Sequence, residues 1–206
     1  MASQLAAPPL SEVTVPHTQL LRLALGLEES RCYWEHVDPA VPLEQRLIPA
    51  FEGRWFGAKS QERVRRLLAA FNVRYDAYPA AFAILRRWRT TSPDTRQLLC
   101  HWHLQLSDPV YRRFSGSYLV ERRALVGATV DRDAVQRWIR QEHPGRWREA
   151  TTHTWGEKLV AAASEAGLLT GKAGARTLRL PRVPDEALAY WLHLLREVRF
   201  EGTMTD

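Results

Sequence analysis

The sequence predicts a mainly α-helical bundle with two helix-turn-helix-like parts, the C-terminal one carrying a short β-hairpin wing. Three observations point there. Apolar residues recur at three- and four-residue spacing through much of the chain, as at Val64, Leu67, Leu68 and Phe71, which mark one face of a helix. Ser and Asp residues, twice followed by Pro, stand at the start of such stretches as N-caps. A segment near the C-terminus, Thr177-Leu178-Arg179-Leu180, alternates at period two after Gly171 and Gly174.

Taken in order, residues 1–17 are irregular, made of small residues and prolines. Leu20, Leu21, Leu23, Leu25 and Leu27 predict a buried helix over Thr18–Trp34, and "DPAVP" at 38–42 breaks the chain. A short helix follows at Leu43–Phe51, then a turn ending at Gly57, then a helix capped by Ser60 and running basic to residue 74. Short helix, turn and capped helix are the outline of a helix-turn-helix. With a further helix at Tyr78–Trp88, this makes an N-terminal part over 18–91. The central part, 92–127, holds two helices, one capped by Ser92 with Pro93 at its first position, one capped by Asp108 and closed by Gly127.

The C-terminal part, 128–206, opens with a helix capped by Asp131, turning Val135, Trp138 and Ile139 inward and ending at "HPG" 143–145. The next helix has Trp155, Leu159, Ala162, Ala163 and Ala166 on one stripe. Thr154 with Glu157 fits a capping box, and Gly167 fits the C′ position. The hairpin and a closing helix, Pro184–Val198, complete a winged-helix outline. The N- and C-terminal parts each also carry a tryptophan turn, "GRWFGAKS" and "GRWREATT", ahead of a capped helix.

Bulk properties narrow the function. A chain of 206 residues can build one sizeable domain without staples. Its two cysteines, Cys32 and Cys100, lie too far apart in sequence for a disulfide framework, which favours a reducing compartment, the cytoplasm. The start lacks the charged and apolar regions of a signal peptide, and no stretch approaches the ~18 apolar residues of a membrane span, so no membrane association is expected. Net charge is +6, almost all from arginine, whose planar fork suits phosphate.

Two basic sets are candidate nucleic-acid contacts. Lys59, Arg63, Arg65, Arg66 and Arg74 lie along the 59–74 helix, where they can meet phosphates or guanine edges. The same residues fit a solvated face paired with Glu62. Lys172, Arg176, Arg179 and Arg182 form a basic wing, with Lys158 on the helix before it. That helix also carries Glu157 and Glu165, a poor charge for a recognition helix.

Other chemistry finds less support. Cys100, His101 and His103 in "CHWH" are three potential zinc ligands, but on a helix only 100 and 103 share a face, and no second pair stands at ligand spacing. A packed Cys and His in a helical core is the simpler reading, so no metal or cofactor is expected. "GLLTGKAG" lacks P-loop spacing and no G-x-S-x-G occurs. "DRD" at 131–133 reads as a cap with dipole-favoured acids. A protein without enzymatic activity is the expectation.

Read together, "GLEESRCYW", "RWFGAKSQERVRRLLAAF" and, later, "RWREATTHTWGEKLVAAASEAGLLTG" with "RTLRLPRVPDEALAYWLHLL" resemble the BrxA family of BREX bacteriophage-exclusion systems, across roughly residues 20–198. The likeness is strongest where Trp147, Thr154, Lys158, Leu159, Gly167 and "LRLPRVP" stand in the family's order, and weaker over 92–127. The resemblance implies a small, all-helical, non-enzymatic protein with helix-turn-helix-like parts. It implies double-stranded DNA binding within a multi-subunit defence system that methylates host DNA and blocks phage replication. An analogy drawn between that family and the antitermination factor NusB implies RNA instead. The family has also been labelled a putative inner membrane protein, from which this chain departs in having no spanning segment. Three functional readings therefore stand: a DNA-binding accessory protein, a protein-interaction scaffold docking other BREX subunits, and an RNA-binding factor.

Overall fold

In the computed structural model, which describes residues 12–88, 91–171 and 174–198, helices start at the expected caps. Ser60, Ser92, Asp108 and Asp131 each accept, through a side-chain oxygen, the backbone N–H three residues on, from Arg63, Thr95, Tyr111 and Ala134. Each cap satisfies one N–H that a helix start leaves open, typically worth about 1 kcal/mol.

The N-terminal half comprises α1 (Leu27–His36), α2 (Leu47–Glu52), α3 (Gln61–Phe71) and α4 (Pro79–Arg87). A π turn, Asn72–Asp76, prolongs α3 toward α4. The central helix α5 (Pro93–Ser107) packs on α1, α10 (Asp185–Leu195) and α6 (Pro109–Arg113). A second π turn, Phe114–Tyr118, runs from α6 into α7 (Leu119–Arg123). There follow β1 (Thr129–Val130), α8 (Arg132–Glu142), α9 (Glu149–Glu165), β2 (Leu169–Thr170), β3 (Arg176–Leu178) and then α10. The strands form one antiparallel sheet in the order β1-β3-β2, with Thr129 opposite Thr177 and Leu169 opposite Leu178. Helix, strand, two helices and a hairpin that returns beside the first strand is the winged-helix topology. The fold is mainly α with a small winged sheet.

Several expected boundaries move, among them the helix expected to close at Gly127, which ends at Arg123, and the closing helix, which ends at Leu195 rather than Val198. The helix over Thr18–Trp34 is a single 3-10 turn at Gln19–Leu21 followed by α1, with Gly26 between them at φ +63°. The Arg22 and Leu23 N–H groups both close on the Gln19 carbonyl and Gly26 is left-handed, so the chain turns rather than continuing as helix, while Leu20, Leu23 and Leu25 still reach the core. Leu43–Phe51 likewise divides into a 3-10 turn, Leu43–Gln45, and α2. The Thr154–Glu157 capping box does not form, because α9 begins at Glu149. Thr154 Oγ1 donates within the helix to the Ala150 carbonyl at 2.9 Å, and Glu157 pairs with Arg132.

One apolar cluster runs through both halves. Tyr33, Phe71, Tyr75 and Phe82 pack with ring centroids 5.3 to 6.1 Å apart. Trp155 and Leu159 anchor the C-terminal half. Gly156 lets α9 cross α8 closely: a Cβ there would stand 2.9 Å from the Arg132 carbonyl and 2.7 Å from Gln136 Cγ. Gly167, at φ +73°, closes α9 as a Schellman turn, with Leu168 N–H donating to Ala163 O at 2.9 Å and Gly167 N–H to Ser164 O at 3.0 Å. Among the described residues no helix is long and apolar enough to cross a membrane.

Candidate nucleic-acid interface

The basic helix of the N-terminal half is less open than its sequence suggests. Arg74 is not on its surface. It is buried, and its guanidinium donates to the carbonyls of Leu25 at 2.8 Å and Ala24 at 3.1 Å. It tethers the 22–26 segment to the π turn and cannot meet a phosphate. Arg63 is half-buried and donates to the Arg22 carbonyl at 2.9 Å. Arg65 and Arg66 are exposed but share one carboxylate, Glu62, at 2.6 and 2.8 Å. Hydrogen bonding from Arg66 and Arg65 lowers the pKa of Glu62, so it stays ionised beside them. Two guanidinium groups against one carboxylate leave a single net positive charge. Lys59 approaches Glu29 at 3.5 Å.

The C-terminal module keeps more of its charge free. The two acids that make α9 a poor recognition helix by charge are occupied. Arg132 of α8 holds Glu157 at 2.9 Å, and the Glu165 carboxylate accepts the Leu25 N–H at 3.2 Å. Arg140 of α8 similarly pairs with Glu149. On the outer surface this leaves Arg148 at the N-cap of α9, Arg137 on α8 and His153 one turn into α9, all exposed. The sequence does not single these residues out, because its capping signal places the helix start at 154. The earlier start puts Arg148 at the helix entrance, where unpaired N–H groups and the dipole favour anions.

The basic wing divides. Lys172 lies outside the described residues. Arg176, at the start of β3, is half-buried and donates to Ser164 Oγ. Lys158 is half-buried on α9. Arg179 and Arg182 are exposed in the extended segment after β3. Arg123 supports this segment from α7 by donating to the Arg179 carbonyl at 3.1 Å. Arg176 and the Arg179–Arg182 pair therefore occupy opposite ends of one strand, not a single basic tip.

The tryptophans of the two turns are wedged between elements. Trp55 stacks on His36 with centroids 5.5 Å apart and planes at 23°. Trp147 packs against Trp155 at 5.2 Å, with the Arg146 guanidinium 5.7 Å from its ring centroid.

"CHWH" is core. Cys100 lies beside the Tyr75 hydroxyl at 3.6 Å, with its thiol pushed up by burial. His101 Nδ1 bonds to the Tyr111 hydroxyl at 2.9 Å. His103 Nδ1 donates to the Arg74 carbonyl at 2.8 Å, which leaves Nε2 to accept from the Tyr190 hydroxyl. Burial holds His101 near pKa about 4 and His103 near about 3, so both rings are neutral at pH 7. The three side chains leave α5 toward different partners. Among the described residues no three His, Cys, Asp or Glu side chains gather as a metal site.

No family model and no curated protein matches this chain. Its fold is similar to the crystal structure of an uncharacterized protein from Magnetospirillum magneticum. The match has a TM-score of 0.63 at 16% identity and covers 88% of this chain and 97% of that one. The likeness shows a shared fold across nearly the whole length.

Proposed function

We propose that the chain is a non-enzymatic, double-stranded DNA-binding accessory protein of a BREX-type phage-defence system, acting in the cytoplasm alongside other subunits of that system. The observation that carries the reading is the winged-helix module with exposed Arg148 at the entrance of α9 and exposed Arg179 and Arg182 beside the sheet. In this geometry the arginines contact phosphate oxygens, which position a protein on the duplex without reading sequence. Affinity is then mainly electrostatic and falls steeply with salt.

The test is fluorescence anisotropy of a random-sequence duplex across a salt series. The triple change Arg148→Ala, Arg179→Ala and Arg182→Ala is expected to weaken binding and to flatten the slope of log K against log salt by about 0.9 for each phosphate no longer neutralised. Changing Arg63, Arg65 and Arg66 to Ala is expected to do less, because those groups are already engaged within the protein. An unaltered slope in the first variant would sink the assignment to the winged module. Stronger competition by single-stranded RNA than by duplex DNA would move the reading to an RNA-binding factor.

A further inference from the structure

Helix α10 has two faces. Ala187, Tyr190 and Leu194 are buried inward, and Trp191 packs against Trp102 of α5 with centroids 4.9 Å apart. The opposite face carries Asp185, Leu188, Ala189, Leu192 and Arg196, spaced i, i+3, i+4, i+7 and i+11, all exposed. Leu188 and Leu192 are 49% and 50% exposed, and Leu180 and Val183, just before the helix, are 71% and 45% exposed. Two leucines one turn apart on an outer helix face, with further apolar side chains beside them, resemble half of a helix–helix contact rather than a solvated surface.

The charges on that stripe select its partner. The acid stands at the N-terminal end and the base at the C-terminal end, with Leu-Ala-Leu between. We propose that two copies of this chain pair through α10, antiparallel, about a twofold axis passing between Leu188 and Leu192. Such an axis sets Leu188 of one copy against Leu192 of its partner, and Asp185 opposite residue 195. That is one residue from Arg196, an offset of about 1.5 Å along the helix that an arginine side chain spans. The stripe is thus complementary to itself, as a twofold interface must be. A parallel pairing would set Asp185 against Asp185 and Arg196 against Arg196. The antiparallel pairing also opposes the two helix dipoles favourably.

Sedimentation equilibrium of the full chain without DNA tests this independently of any nucleic-acid binding. The expected result is a mass that rises with concentration from the monomer's 23.7 kDa toward twice that value. Leu192→Glu buries a charge in the contact and should raise the dissociation constant about tenfold or more. Asp185→Arg and Arg196→Asp should each weaken association, and the two together should restore it, because each copy then presents the swapped charges to its partner. Circular dichroism confirms that each variant is folded. A monomer at every concentration, a dimer indifferent to Leu192→Glu, or a double swap no tighter than either single change overturns the proposal.

Discussion

At the scale of single residues, position on the helical stripe decides more than chemical type. Arg74 follows Phe71 by three residues, so it continues the inward set of Val64, Leu67, Leu68 and Phe71. Its charge points to the surface, yet the periodicity points inside. Tertiary carbonyls at Leu25 and Ala24 supply the partners that make its burial tolerable. The same contest puts His101 and His103 in the core as neutral rings. That neutrality has a measurable sign. An unfolded imidazole titrates near about 6.5, whereas the folded rings are held near about 4 and about 3. Below about pH 6.5 the unfolded chain takes up protons that the folded chain refuses. Stability therefore falls as pH drops, by up to about 1.4 kcal/mol per pH unit for each ring. Burial raises the carboxyl pKa values of Asp108 and Glu165, which works in the opposite direction. Urea unfolding of wild type and His103→Gln at pH 7.5 and 5.5 isolates the histidine contribution. The wild type should lose more stability between the two, and equal losses would contradict the neutral His103.

At the scale of elements, caps and stops are written locally. Ser60, Ser92, Asp108, Asp131 and Gly167 act where the sequence places them, because each needs only neighbouring backbone atoms. Element starts without a side-chain cap are not legible in the same way. Helix α9 begins at Glu149 behind Arg148, whose side chain makes no capping bond, so Thr154 carries the only local signal there. What holds α9 in place is its crossing with α8 at Gly156. Replacing Gly156 by Ala sets a methyl against the Arg132 carbonyl and should cost about 1 to 3 kcal/mol as the helices move apart, seen as a lower thermal midpoint. A stabilised variant, the ordinary outcome of Gly→Ala inside a helix, would show that the helices part freely.

At the scale of the whole molecule, distant stretches of chain finish each other's hydrogen bonding. Glu197, after α10, caps α4 by accepting Ala80 N–H at 2.8 Å and Ala81 N–H at 2.6 Å. Glu197→Ala should lower stability by about 2 kcal/mol, measured by chemical unfolding. An unchanged midpoint would mean that water replaces this cap without cost. The order of residues alone establishes that the protein is mainly helical, where most capped helices start, that a short hairpin follows Gly167, and that arginine dominates its charge. These are consequences of local backbone chemistry and of hydrophobic period, which a linear chain carries in full. Which arginines remain available is settled by folding. Arg74 goes to buried carbonyls, Arg65 and Arg66 to Glu62, Arg132 and Arg140 to acids of α9, while Arg148, Arg179 and Arg182 stay at the surface. A charge is neutralised by whatever lies within a few ångströms of it, and for residues far apart in sequence only the folded chain sets that distance.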